Sequence, residues 1–119
     1  MSFKYLNKNP NSANIEDCSI RCVSTVERIS WSDAYKKLSN FARKRGLMIS
    51  SVEAVEQYLD SFYDRVPITE YTVGDFIKNH PYGTYAITMP SHITSLVDGI
   101  NYDTFDSSNR TIWDAWKIE

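Results

Sequence analysis

After a polar opening segment, apolar residues settle into helical spacing. Ile20, Val23, Val26 and Ile29 follow Asp17 at intervals of three, which predicts a buried helix from about Cys18 to Arg28. Asp17 is placed to cap it, its carboxylate accepting from the free amides of the first turn. A short break at Ser30-Trp31 leads to a second helix with Ser32 as cap. Its apolar face is Ala34, Tyr35, Leu38, Phe41 and Ala42, and Gly46 closes it. The short connection predicts an antiparallel pair. Ser50-Ser51-Val52-Glu53 reads as a capping box, with Ser50 reaching forward and Glu53 back. Val52, Val55, Leu59 and Phe62 then give a third helix one stripe, which ends before Pro67. Thr72-Val73-Gly74-Asp75 opens a short fourth helix through about Lys78, and Asn79-His80-Pro81-Tyr82-Gly83 is a turn.

Beyond Gly83 the period shortens. Thr84 to Met89 is rich in β-formers, Pro90-Ser91 breaks it, and His92 to Val97 reads as a second strand. Asp98-Gly99 is a hairpin signal, so Ile100 to Phe105 returns antiparallel. Asp106-Ser107-Ser108-Asn109 turns again, and Arg110 to Ile118 forms a last strand. Residues 1–16 read as an irregular lead-in, 17–80 as mainly helical, and 83–118 as an antiparallel meander. The expected class is α+β, one domain over 1–119 with the N-terminal helices packed on a C-terminal antiparallel sheet.

Composition agrees with a single core: 119 residues, 42% hydrophobic and 13% aromatic. A net charge of −2 and the lack of a long basic run give no footprint for nucleic acid. Arg43-Lys44-Arg45 suits the negative end of the second helix. The start of the chain carries no apolar run, and no stretch is long enough to span a bilayer. Two cysteines four residues apart in one helix are poorly placed for a disulfide. The expectation is therefore a cytoplasmic protein with reduced thiols, no membrane contact, and no metal or organic cofactor.

Three residues stand out for their chemistry. Cys18 lies in a helix first turn, where the dipole favours thiolate. His92 opens a strand. A carboxylate lies across the Asp98-Gly99 hairpin. With a two-residue loop His92 faces Phe105, and Asp103 shares its face two positions away. With a three-residue loop Asp106 stands opposite. Asp106, level with His92, is the favoured orienter and Asp103 the alternative. Either could hold the imidazole by accepting from one ring nitrogen, leaving the other for the thiol. Cys22, one turn on, is expected in the core. His80 is expected in a solvated turn, as the competing base if the register differs. Arg21 is expected to pair with a nearby acid. Trp113 and Trp116, three apart, cannot share one face of a strand, so one belongs in the core and the other near the rim of the site. Tyr85 and Tyr102 suit sheet packing.

These residues resemble the papain-like cysteine peptidase superfamily, with its bacteriocin-leader and cell-wall peptidases. The resemblance rests on Asp17-Cys18 opening a long helix, His92 leading Ile-Thr-Ser-Leu-Val-Asp-Gly, and Asp106-Ser107-Ser108 after the next strand. It is similar in particular to small phage proteins with an Asp-Cys-x-x-Arg start, a Gly-x-Tyr strand (here Gly83-Thr84-Tyr85), and then His, Asp-Gly and Tyr-Asp-Thr-aromatic-Asp. The resemblance implies a papain-like minimal core, with Cys18 as nucleophile, His92 as general base and Asp106 as orienter. It implies action on a peptide or protein substrate, and a host cytoplasm as the setting if the chain is phage-encoded. Papain-type enzymes carry a Gln about six residues before the cysteine. Here that position is Ser12, so Asn14 or Asn11 stands in as oxyanion donor, or the Cys18 amide acts largely alone. The aromatic that often follows the cysteine is Ser19. The expected function is a thiol hydrolase of peptide or isopeptide amide bonds. The alternatives are a non-enzymatic phage accessory protein on the same fold that inhibits a host protein, and an acyl transferase using the same triad.

Overall fold

The computed structural model describes residues 3–119. Among these the chain forms β1 (Phe3–Tyr5), α1 (Cys18–Glu27), α2 (Trp31–Arg45), α3 (Val52–Phe62), β2 (Asp64–Val66), α4 (Val73–Asn79), β3 (Thr84–Met89), β4 (His92–Val97), β5 (Ile100–Asp103) and β6 (Asp114–Lys117). The strands make one sheet in the order β1-β5-β4-β3-β6-β2. This is an α+β fold. The sheet is antiparallel except at β1, which runs parallel to β5. The opening segment, expected to be irregular, therefore contributes an edge strand. Only β3, β4 and β5 form the expected meander, because β6 pairs with β3 instead of following β5. β2 extends the far edge within a stretch expected to be mainly helical.

Both faces of the sheet are covered, which explains why every residue of β3 is buried. Alternation divides it: Ala86 packs with Ile20, Val23, Leu38 and Leu59 of the first three helices. Tyr85, Ile87 and Met89 pack with Phe76 and Ile77 of α4. The helices thus occupy two faces, α4 opposite the other three. Trp116 fills the first layer and Ala115 the second. Burying an indole of that size contributes on the order of 3 kcal/mol.

The helix ends differ in detail from the reading above. Ser30, not Ser32, caps α2: its Oγ accepts from the Asp33 amide at 3.0 Å. Extended backbone at Ser30 lets Trp31 start the helix. Ser51, not Ser50, caps α3, its Oγ accepting from Ala54 at 3.1 Å while donating to the Met48 carbonyl. Glu53 therefore lies one position too early to close a capping box. Gly46 ends α2 at φ +69°, with Arg43, Lys44 and Arg45 in the last turn, where they suit the negative end of the dipole.

Candidate active site

The Asp98-Gly99 hairpin sets the geometry. Both loop residues have positive φ, +48° and +77°, the combination a two-residue turn needs to follow the strand twist. Val97 therefore pairs with Ile100, Leu96 with Asn101 and Ser95 with Tyr102. The next step sets Thr94 opposite Asp103, and His92 falls on that same strand face by alternation. The His92 ring meets Phe105 at a centroid distance of 4.7 Å. Its Nε2 lies 2.6 Å from Asp103 Oδ2.

Asp103, the alternative in the sequence reading, is thus the partner of His92, and Asp106 is not. The two-residue loop puts Phe105 opposite the histidine and carries Asp106 past the strand end. There its Oδ1 accepts from the Ser108 amide at 2.9 Å and caps a turn. Asn11 and Asn14 are exposed, and neither lines the groove in which Cys18 opens. The lead-in loop is organised instead by buried Asn9, whose Oδ1 accepts from the amides of Asn11 and Ala13 at 2.9 and 3.2 Å. His80 stacks on Phe76 at 3.8 Å, within the layer of α4, so it does not compete as a base for Cys18.

Cys18 is the first residue of α1. Its sulfur lies close to the His92 ring and the Ile93 amide, and all three residues line one groove. With Nε2 engaged by Asp103, Nδ1 is the ring nitrogen left for the thiol. Burial disfavours the thiolate. The His92 bond, the Ile93 amide, and the charges of His92 and Arg21 outweigh that effect, so the thiol is held below its ordinary range. Burial likewise opposes a charged imidazole, yet the bonds to Asp103 and Cys18 raise His92 to about 9. Asp103 is desolvated too, but His92 and Thr94 stabilise its charge and hold its carboxyl below the usual range. All three shifts run towards the charged forms, thiolate, imidazolium and carboxylate.

Both oxygens of Asp103 accept hydrogen bonds. Oδ2 takes His92 and the Thr94 hydroxyl. Oδ1 takes the Thr104 amide at 2.7 Å and an Arg21 Nη at 2.9 Å. Asn101 donates to Thr94 Oγ1 at 2.8 Å, which leaves the hydroxyl proton for Asp103. Asp17, expected as a helix cap, makes no cap bond with its side chain. Its carboxylate is used instead by Arg21 Nε at 2.8 Å, Trp31 Nε1 at 2.9 Å and Asn9 Nδ2 at 3.2 Å. The positive end of α1 is thereby left uncapped beside the sulfur.

A groove of about 370 Å³ opens at Cys18 and His92, walled by Val52, Val55, Ile93 and Trp113. Trp113 is exposed at its rim and Trp116 is fully buried, the division that their spacing implied. Cys22 is buried, as expected, with Sγ 3.3 Å from the Thr94 carbonyl, and burial pushes its thiol up to about 12. Among the described residues, no cluster of three or more His, Cys, Asp or Glu side chains is arranged to hold a metal ion. Among the same residues no helix is long and apolar enough to cross a membrane. Arg21 pairs with a nearby acid, Asp17, as expected, while Thr94, Asn9 and Trp31 were not legible as parts of this network. Arg21 alone carried a signal, its spacing from Asp17.

No family model, curated protein or solved structure matches this chain.

Proposed function

We propose that the chain is a cysteine-dependent hydrolase of peptide or isopeptide amide bonds, in the manner of the papain-like enzymes it resembles. The observation that carries this reading is the set Cys18, His92 and Asp103: His92 is bonded to Asp103 at 2.6 Å, and Cys18, at a helix N-terminus, shares a groove with His92. An ordinary buried cysteine needs neither an imidazole beside it nor a carboxylate behind that imidazole.

The chemistry follows from the proton positions. Cys18 thiolate attacks the carbonyl carbon, and the oxyanion forms beside the uncapped amides of the α1 first turn. His92 gives its Nδ1 proton to the leaving nitrogen as the C–N bond breaks, leaving a thioester. Neutral His92 then takes a proton from water, which attacks the thioester. The acid departs, and the thiolate and imidazolium are restored. Asp103 fixes the ring through Nε2–H throughout. If an amine replaces water in the second half, the same groups perform acyl transfer. Two free thiols suit a reducing, cytoplasmic setting.

The test is acylation. The Cys22→Ala protein is incubated with a panel of peptide thioesters and peptide anilides and followed by intact mass. A hydrolase gains one acyl group on Cys18, releases it to water, and loses both steps in Cys18→Ala. Release to an added amine in preference to water marks a transferase. A protein that never acylates is a binding module, and this reading is then wrong.

A further inference from the structure

We propose that Arg21 is a positioning residue for the Cys18–His92 couple, acting through Asp103; this rests on the hydrolase reading above. Arg21 lies one helical turn after Cys18, so the helix that presents the sulfur also presents the guanidinium. Its Nε donates to Asp17 at 2.8 Å and its Nη to Asp103 at 2.9 Å. The second contact spans 82 positions of sequence. It joins α1 to the end of the strand that orients His92.

An i,i+4 ion pair on a helix usually lies in water and does little. This one does not lie in water: the side chain of Arg21 is 12% exposed, and those of both its acids 2%. The space left between α1 and strands β4 and β5 is about 10 Å³, roughly the room of a single water. Charges alternate along the run Asp17, Arg21, Asp103 and His92. Two buried carboxylates are matched by one guanidinium and one imidazolium, and Cys18 stands at the positive end of α1. The titratable groups around Arg21 are Asp17 at the head of its helix, Asp103 on β5, His92 on β4, and Cys18 and Cys22 on α1, with Tyr102 lining the same small space.

The geometry asks for arginine. A planar fork can serve two acids at once, one through Nε and one through Nη. A lysine ammonium supplies the charge as a single point without the fork. Arg21 also fixes which oxygen of Asp103 is free for His92, because it takes Oδ1 and leaves Oδ2. It therefore sets the ring that the thiol meets, without touching the reacting atoms.

The experiment uses the full chain with Cys22→Ala, carrying Arg21→Lys, Arg21→Met or Asp17→Asn. Two quantities are read: the pH dependence of Cys18 alkylation by iodoacetamide, and the NMR signal of the His92 Nε2 proton. Arg21→Lys is expected to move the alkylation midpoint up by about one pH unit, which is about a tenfold slower reaction at pH 6, and to broaden the Nε2 proton signal. Asp17→Asn, which frees one end of the fork, is expected to show a smaller shift in the same direction. Arg21→Met is expected to exceed both if it folds; if it does not, the other two variants decide. A folded Arg21→Lys protein with a lowered melting point but the parent's pH profile and proton signal overturns the inference, since Arg21 then only holds the fold. A parent thiol that titrates like a free one overturns the hydrolase reading, and this inference with it.

Discussion

Asp103 Oδ2 and His92 Nε2 lie 2.6 Å apart on neighbouring strands of one hairpin, joined by a turn of only two residues. That distance divides two carboxylates three positions apart in sequence into one that orients the histidine and one that caps a turn.

Replacing each carboxylate tests the division. Asp103→Asn is expected to bring His92 down from about 9 towards the ordinary value of about 6.5. It should cut turnover by about two to four powers of ten, as losing the orienting carboxylate does elsewhere. Asp106→Asn is expected to leave both within about twofold. An NMR titration of the His92 ring in each variant checks the first expectation, and acylation rates check the second.

Stability should depend on pH through the same groups. His92 is raised in the folded state, so its contribution is full below the unfolded value of about 6.5 and is lost as pH rises through the folded one. Asp103 and Asp17 are lowered, so theirs is present above the unfolded value of about 3.9 and is lost as pH falls below it. The lowered Cys18 thiol acts in the opposite sense to His92 at alkaline pH, so Cys18→Ser isolates the histidine. Urea midpoints in that background should be highest between about pH 4.5 and 6.5. They should fall as pH rises from about 6.5 to 8.5, and His92→Gln should remove that fall; above about 8.5 the raised Cys22 thiol adds a fall of its own.

The two tryptophans should respond differently. Trp113 is 51% exposed at the groove rim and Trp116 fully buried. Trp113→Ala should change stability by less than about 0.5 kcal/mol and leave alkylation by iodoacetamide unchanged, while weakening the binding of peptide substrates severalfold. Trp116→Ala should destabilise by about 3–5 kcal/mol. Thermal melts and a KM-against-kcat comparison separate the two.

The turn itself can be probed. Gly99 has φ +77°, and a Cβ there would meet the Pro81 carbonyl oxygen at 3.3 Å. Gly99→Ala should cost about 1–2 kcal/mol through the left-handed backbone. If the turn slips to three residues, Asp103 leaves His92, and a drop in activity larger than the drop in stability would reveal it.

Much of the layout was legible because local rules govern it. The stripe of Ile20, Val23 and Val26 made α1 readable, and the period change after Gly83 made β3 and β4 readable. Cys18 and His92 could be singled out because a helix start and a strand start are local features. The choice of carboxylate depends on one residue of loop length, and both registers satisfied the pattern. β1 and β2, three residues each, are too short for periodicity to mark, and the pairing of β6 with β3 is set by long-range packing. Asp17 looked like a cap because caps are its usual local use. Its actual partners, Arg21, Trp31 and Asn9, include two beyond the reach of any capping rule.

The central claim is an activated thiol, and the pH dependence of Cys18 alkylation in the Cys22→Ala protein measures it directly. A thiol activated by His92 has a midpoint well below the free value of about 8.5, and it returns to that value in His92→Ala. An ordinary midpoint, indifferent to His92, would contradict it.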